Sequence, residues 1–303
     1  MKICSLLPSA TEILFALGLG DQVLGVSHEC DFPAETRSRT VLIRSRISHT
    51  ESAAAIDRQV RELVERGESL YSVDMDALAA IEPDLIVTQD LCHVCAATPD
   101  DLASALIHLR HAPQIVTLNP HSLTDVCADI RKVGGATGRA GQAEHLIAEF
   151  ELNVAAVEQR MVDLPQPRVL ALEWLDPLYV AGHCVPEMIS RAGGRDVLGR
   201  AGEPSFRVEW DAVASSQPEV IIVMPCGYSL EQAAGEFRAL SLPPVWRDLP
   251  AVKNNRVFVV EASGYFSRPG PRLAEGMNIL AHVLHADTRC DALARATAAY
   301  MRV

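Results

Sequence analysis

Short apolar runs, each followed or preceded by a stretch with helical spacing, recur along the chain from residue 2 onward. This is the rhythm of parallel α/β units, in which strands buried on both faces alternate with helical crossovers. KICSLL (residues 2–7) predicts a first strand feeding a helix capped by Ser9 or Thr11, and VLGVS (23–27) predicts a second strand. VDMDALAAIEPDLIVTQD (73–90) reads as helix, proline-containing turn and strand, and DDLASALIHLRHAPQIVTL (100–118) repeats helix then strand. Together they delimit an N-terminal α/β lobe over residues 1–120.

Strand signals lapse over residues 121–165, where two helical patterns are separated by GGATGRAG. The second pattern, AEHLIAEFELNVAAVEQRMV, would span roughly 30 Å as one helix and serve as a connector. Strands resume over residues 166–303 with RVLALEW, LYVAG and RVFVVEA; VPEMISRAGG predicts a helix ending at glycine, and RLAEGMNILAHVLH another. EWDAVASSQPEVIIVMPCG (209–227) repeats the layout of DMDALAAIEPDLIVTQDLC (74–92). That internal echo predicts two similarly built lobes, with the strand ends near Gln89 and Pro225 facing each other.

Loops after the C-terminal ends of parallel strands are where open α/β sheets place ligands. The scarcer side chains gather in such loops: His28, Glu29 and Cys30; Cys92 and Cys95; Trp174, Tyr179, His183 and Cys184; Cys226 and Tyr228; Tyr265, Phe266 and Arg268. Only 15 residues are aromatic (Trp 3, Tyr 5, Phe 7), so their concentration at strand ends points to an apolar cleft, with Trp210 and Trp246 as candidates for core packing instead. Glu173 stands inside an apolar strand beside Trp174 and near Asp176, a pair able to divide acid and base roles but more often engaged with backbone amides or water. Cys30, Cys92, Cys95, Cys184 and Cys226 are soft donors that could hold zinc or an iron–sulfur cluster if they converge. Buried thiols and a dithiol redox pair are the other readings of Cys92 and Cys95, while Cys4 and Cys127 read as core.

The formal charge of −12, from 39 acidic and 27 basic residues, excludes a nucleic-acid groove and an anionic membrane surface. No run approaches the roughly 18 apolar residues of a membrane span. Pro8, Ser9, Thr11 and Glu12 interrupt the apolar N-terminus, so it does not read as a leader, and a cytoplasmic location is expected unless a leader has been cleaved. The chain lacks the strand-linked G-x-G-x-x-G, Walker, G-x-S-x-G and H-E-x-x-H patterns, which leans away from an enzyme.

The stretches SLLPSATEILFALGLGDQVLGVSHECDFP, LAAIEPDLIVTQDLCHVCA, LEWLDPLYVAGHCVPEMISRAGG, QPEVIIVMPCGY and FSRPGPRLAEG together resemble the cobalamin-binding, vitamin B12 receptor-like members of the helical-backbone periplasmic substrate-binding proteins of ABC importers. The resemblance implies an α/β fold of class III type: two Rossmann-like lobes joined by a long rigid helix, with a corrinoid held between them for carriage, transport or sensing. It maps ligand contacts onto Pro8, Ser9, residues 27–32 and 90–95, Trp174, Tyr179, His183, Cys184, Pro225, Gly227, Tyr228 and residues 265–268. It also maps permease docking onto Asp76 and Glu209, with a cytoplasmic protein as the alternative partner. Two features depart from the pattern: the absent leader, which favours a cytoplasmic-type relative, and Cys184, where similar sequences carry tryptophan. The rival reading is a metalloprotein or redox enzyme whose cleft cysteines hold an iron–sulfur cluster or zinc.

Overall fold

The apolar runs become the central strands of two sheets in the computed structural model, which describes residues 1–48, 51–90, 106, 107, 109–285 and 300–303. The first sheet contains β1 (Ile3–Ser5), β2 (Val23–Ser27), β3 (Thr40–Ser45), β4 (Tyr71–Val73), β5 (Leu85–Gln89) and β6 (Gln114–Leu118). Their order is β4-β3-β2-β1-β5-β6, parallel except for the antiparallel edge strand β4. β1 and β5 are buried at every position, as strands covered on both faces must be. This sheet belongs to unit 1, which comprises Met1–Glu51, Ala55–Pro120 and Thr124–Ala148. The helix expected within residues 100–110 falls mostly outside the described residues.

Helix α1 (Pro8–Ala16) starts earlier than the expected cap at Ser9 or Thr11. Pro8 occupies its first turn, where the missing N–H costs nothing and the fixed φ is already helical, and no side chain caps it. Thr11 is buried inside the helix instead; its hydroxyl lies 2.8 Å from Ser5 Oγ, 3.2 Å from the Leu7 carbonyl and 3.1 Å from Cys30 Sγ. After α2 (Ala53–Glu65) comes α3 (Met75–Ile81), capped by the Asp74 carboxylate, which accepts from the Ala77 N–H at 2.9 Å.

Helix α4 (Leu123–Ala136) runs through Gly134 and Gly135, which the sequence pattern placed in a loop. The reason is a close approach: a Cβ on Gly134 would lie 2.5 Å from the Ala143 Cβ of the next helix, α5 (Ala140–Met161). Two helices packed that tightly need glycine at the crossing. Helix α5 has 22 residues, about 33 Å, and the boundary between the units falls within it, after Ala148.

Unit 2 comprises Ser52–Ala54, His121–Leu123 and Glu149–Val303. Its sheet holds β7 (Arg168–Leu175), β8 (Leu178–Val180), β9 (Arg195–Asp196), β10 (Phe206–Arg207), β11 (Val220–Val223), β12 (Val257–Val260) and β13 (Tyr300–Arg302). The order is β10-β8-β7-β11-β12-β13, with β9 also pairing with β7. Strands β7, β11 and β12 are parallel, and β11 and β12 are wholly buried. The helices are α6 (Cys184–Arg191), α7 (Trp210–Ser216), α8 (Leu230–Ala239), α9 (Pro250–Lys253), α10 (Ala262–Tyr265) and α11 (Leu273–His285). Trp246 packs edge-on against Trp210 at 5.9 Å and tilted against Phe237 at 5.6 Å. Trp246 is core, as its buried position requires.

The sequence echo is a structural duplication. Residues 73–89 and 208–224 align at a constant offset of 135 (Pro83 on Pro218). Both seven-residue helices, α3 and α7, end on a left-handed residue, Glu82 (φ 51°) and Gln217 (φ 44°). In each unit the acid after the proline accepts the backbone N–H of the residue that opens the first strand. The Asp84 carboxylate accepts from Lys2 N at 2.7 Å, and the Glu219 carboxylate from Arg168 N at 2.8 Å. The return bonds run from Asp84 N to Lys2 O and from Glu219 N to Arg168 O. Glu219→Ala should therefore cost about 1–2 kcal/mol, and Asp84→Ala less because its side chain is half exposed. Urea denaturation of the two variants checks both the magnitude and the order.

Candidate functional site

In unit 2 the C-terminal ends of β7, β11 and β12 carry a connected group of aromatic and polar residues. Trp174 is the penultimate residue of β7 and pairs across the hairpin with Tyr179 on β8. Its ring meets Tyr228, in the loop after β11, edge-on with centroids 5.5 Å apart and planes at 70°. Aromatic pairs prefer this geometry because a ring edge is electropositive and a ring face electronegative. The loop carrying Tyr228 is fixed at two points. Cys226 N donates to the Glu173 carbonyl at 3.2 Å, and Ser263 Oγ, in α10 after β12, donates to the Tyr228 carbonyl at 3.3 Å. The Glu173 carboxylate accepts from Gly182 N at 3.3 Å, so the acid inside the apolar strand organises backbone.

Tyr228 is buried, and its Oη has no hydrogen-bond partner. Burial, with the Glu236 carboxylate in second place, pushes the phenol up to about 12. It therefore stays neutral and keeps a hydrogen to donate. An enclosed phenol left unpaired costs about 1–3 kcal/mol, which a ligand acceptor would recover. Beyond it, Arg272 lies over the Tyr265 ring at 5.5 Å. A Cβ on Gly276 of α11 would collide with the Tyr265 carbonyl, so α11 packs directly against the end of α10. Phe266 is buried and Arg268 half-buried.

In unit 1, Pro8 and Ser9 are buried at the start of α1. His28 follows β2; its Nδ1 lies 3.1 Å from the Ile43 carbonyl and its ring 6.5 Å from Tyr71. Glu29 Oε1 sits 3.9 Å from His28 Nε2. Cys30 is buried, with its carbonyl accepting from Thr36 Oγ1 at 3.0 Å.

The soft-metal expectation finds no support among the described residues. Cys92 and Cys95 lie outside the described residues; Cys30 belongs to unit 1, and Cys184 and Cys226 to unit 2. Among the described residues no three His, Cys, Asp or Glu side chains converge to hold a metal ion. Cys184 is buried as the first residue of α6, and burial pushes the Cys4 thiol up to about 12, which keeps it protonated and inert. Of the docking candidates, Asp76 is exposed on the first turn of α3. Glu209 is exposed, pairs with Arg207 at 3.1 Å and lines a cavity of about 380 Å³ with Asp176, Trp210 and Glu236. They are not equivalent positions of the duplication, which places Asp74 on Glu209 and Asp76 on Asp211.

The pattern gave no sign of Asp196. Its Oδ1 accepts from Leu198 N (3.0 Å) and Gly199 N (2.6 Å), while Oδ2 is enclosed without a partner. Burial raises this carboxyl to about 6 despite those backbone bonds. A folded value above the unfolded one means that the folded state holds the extra proton. That contribution is complete below about pH 4 and is lost as pH rises toward 6. Relative to wild type, Asp196→Asn should therefore gain up to about 2–3 kcal/mol between pH 4 and pH 6.5. Denaturant midpoints of both proteins across that range test it.

A family model described as periplasmic binding protein matches residues 3–263. A curated relative, the uncharacterized ABC transporter substrate-binding lipoprotein YvrC of Bacillus subtilis, is 24% identical over 95% of this chain and 81% of its own. The vitamin B12-binding protein of Vibrio parahaemolyticus is 23% identical over 89% of this chain and 84% of its own. Among solved structures, the periplasmic heme-binding protein RhuT from Roseiflexus sp. RS-1 superposes with a TM-score of 0.70 at 25% identity, covering 94% of this chain and 98% of that one. The periplasmic vitamin B12 binding protein BtuF of Vibrio cholerae gives 0.68 at 20% identity, over 95% and 98%. The two-lobed α/β class III fold is thereby shown.

These matches overturn the cytoplasmic expectation: the family and the matching structures are periplasmic binding proteins. The apolar N-terminal residues are β1 and α1 of the folded unit, so the interruptions at Pro8, Thr11 and Glu12 answer to packing. No helix among the described residues is long and apolar enough to cross a membrane.

Proposed function

Because the chain belongs to the periplasmic binding protein family, we propose that it is a substrate-binding component of an ABC-type system that takes a corrinoid, a cobalamin-like macrocycle, as its ligand. The observation that carries this reading is the Trp174–Tyr228 pair at the strand ends of unit 2, with the unpartnered Tyr228 phenol enclosed beside it. A corrinoid presents a broad apolar ring edged with amides. Aromatic side chains suit the ring, at roughly 25 cal/mol per Å² of apolar surface before ordering costs. A neutral phenol donor suits an amide oxygen. Vitamin B12-binding relatives match over most of this chain and motivate the corrinoid; heme, named for the matching protein from Roseiflexus sp. RS-1 at 25% identity, is the competing macrocycle.

Tyr179, opposite Trp174 on the hairpin, extends the aromatic surface. Phe266 is buried in the same unit. Asp76 and Glu209, both exposed acids, are the proposed contacts to a permease. The deciding experiment is a parallel titration with cyanocobalamin and hemin, read by tryptophan fluorescence and visible absorption. One cyanocobalamin per chain, held at least tenfold more tightly than hemin, is the expected result. Preference for hemin, or no binding of either, would sink the corrinoid reading.

A further inference from the structure

His183 carries a second, separate signal. It is the first corner of a tight turn in which Val185 N donates to the Gly182 carbonyl at 3.0 Å. Its backbone angles, φ 51° and ψ −117°, are those of the first central position of a type II′ turn, where glycine is usual. The turn is pinned: His183 N donates to the Glu203 carbonyl at 2.6 Å, and the His183 carbonyl accepts from Gly202 N at 3.0 Å. A side chain is kept there at the expense of strain, and strain of this kind gathers at functional positions.

That side chain faces another imidazole. The ring centroids of His183 and His121 are 5.5 Å apart, with planes at 44°. His183 Nε2 is enclosed and has no hydrogen-bond partner. Burial first, and His121 second, lower the proton affinity of His183, so its ring is neutral at neutral pH with a lone pair to offer. The segment bearing His121 is tied to the helix that follows His183. Glu187 Oε2 accepts from Leu123 N at 2.9 Å, and Glu187 Oε1 pairs with Arg191, which also reaches Glu158 on α5 at 3.2 Å. One helix, α6, thus positions both rings.

We propose that His121 and His183 form the protein half of an open, two-imidazole site for a divalent transition-metal ion of the Ni²⁺, Cu²⁺ and Zn²⁺ class. Metal–imidazole bonds of about 2.0–2.1 Å put the centroids of two rings on one ion roughly 4.5–6 Å apart, and the observed spacing lies in that window. Neutral imidazole selects these ions over Mg²⁺ and Ca²⁺, which take oxygen ligands. Among the described residues no third His, Cys, Asp or Glu completes a cluster, so water or a donor group from a small molecule fills the remaining positions. Such a site exchanges its metal and is not a closed structural centre. The inference stands apart from the corrinoid reading and needs no ligand on the aromatic surface.

The test is calorimetric titration of the full chain with Ni²⁺ at pH 7.5, in a Cys92→Ser/Cys95→Ser background that removes competing thiols. One Ni²⁺ per chain is expected, weakened at least tenfold by His121→Asn and by His183→Asn. Cu²⁺ electron paramagnetic resonance should show two nitrogen ligands in the parent and one in each variant. His183→Gly guards against misfolding: it relieves the turn, so its melting temperature should equal or exceed the parent's while Ni²⁺ affinity falls as far. Absence of Ni²⁺ binding by the parent overturns the proposal, and so does affinity within twofold of the parent in any of these histidine variants. His121→Asn should leave the cyanocobalamin titration unchanged. If no protein binds cyanocobalamin but the Ni²⁺ pattern holds, the corrinoid reading fails and the metal site stands.

Discussion

Trp174→Ala is expected to weaken cyanocobalamin binding by about 30- to 1,000-fold, roughly 2–4 kcal/mol, the range of an aromatic anchor at the centre of an interface. Two contributions add. The indole supplies a large share of the apolar area that would be withdrawn from water. It also holds the Tyr228 ring by an edge-on contact of about 0.5–1.5 kcal/mol, and through it the orientation of the enclosed phenol. Tyr228→Phe separates them: it keeps the ring contact, deletes the proposed donor, and should cost about tenfold, roughly 0.5–1.5 kcal/mol. Because Trp174 pairs with Tyr179 in the β7–β8 hairpin, unfolding curves must accompany the titrations. An affinity within threefold of wild type in a folded Trp174→Ala protein would remove this surface from the ligand site.

Phe258→Ala should lower stability by about 3–5 kcal/mol, the largest single-residue effect expected here. Phe258 is among the largest fully buried side chains, at 1% exposure, in the middle of β12 between β11 and β13. Its register partners are Ile222 and Arg302. Its ring meets Tyr300 edge-on at 6.1 Å and lies under the Arg302 guanidinium at 5.1 Å. Removing it opens a cavity that rigid parallel strands cannot close, and it loosens the antiparallel edge strand β13. Phe258→Leu should cost less than half as much. Equal urea midpoints for wild type and Phe258→Ala would contradict the packing described.

Much of the fold is legible along the chain because periodicity encodes burial. The strands β11 and β12 are apolar at every position and β5 over its first three, and the structure buries all three throughout. The echo between residues 74–92 and 209–227 foretold two similarly built α/β units; the paired Asp84 and Glu219 bonds emerge only in the structure. What escaped had too little local signal. β3 buries only Leu42 and Ile43, two residues amid arginines and serines, and so vanished into a polar stretch. The Gly134-Gly135 pair of α4 looks like a breaker until the Cβ of Ala143 is found pressed against the place where a Cβ on Gly134 would stand. The α1 cap was misplaced because proline at the first turn makes a capping side chain unnecessary. The compartment is not legible in the folded residues, because packing shapes the N-terminal strand and helix; the family match corrects it.

By itself the sequence determined which segments are strands buried on both faces, that the chain is α/β and duplicated, and which rare side chains sit at strand ends. Strand and helix patterning depends on neighbours two to four residues away, and the duplication shows as the same local pattern repeated 135 positions on. Only the tertiary structure decided which of those side chains meet. Trp174 finds Tyr228 because β7 and β11 are adjacent in the sheet, and His121 finds His183 because Glu187 ties the start of α4 to α6. Strand order and loop closure bring residues more than fifty positions apart into contact, and no local period records that.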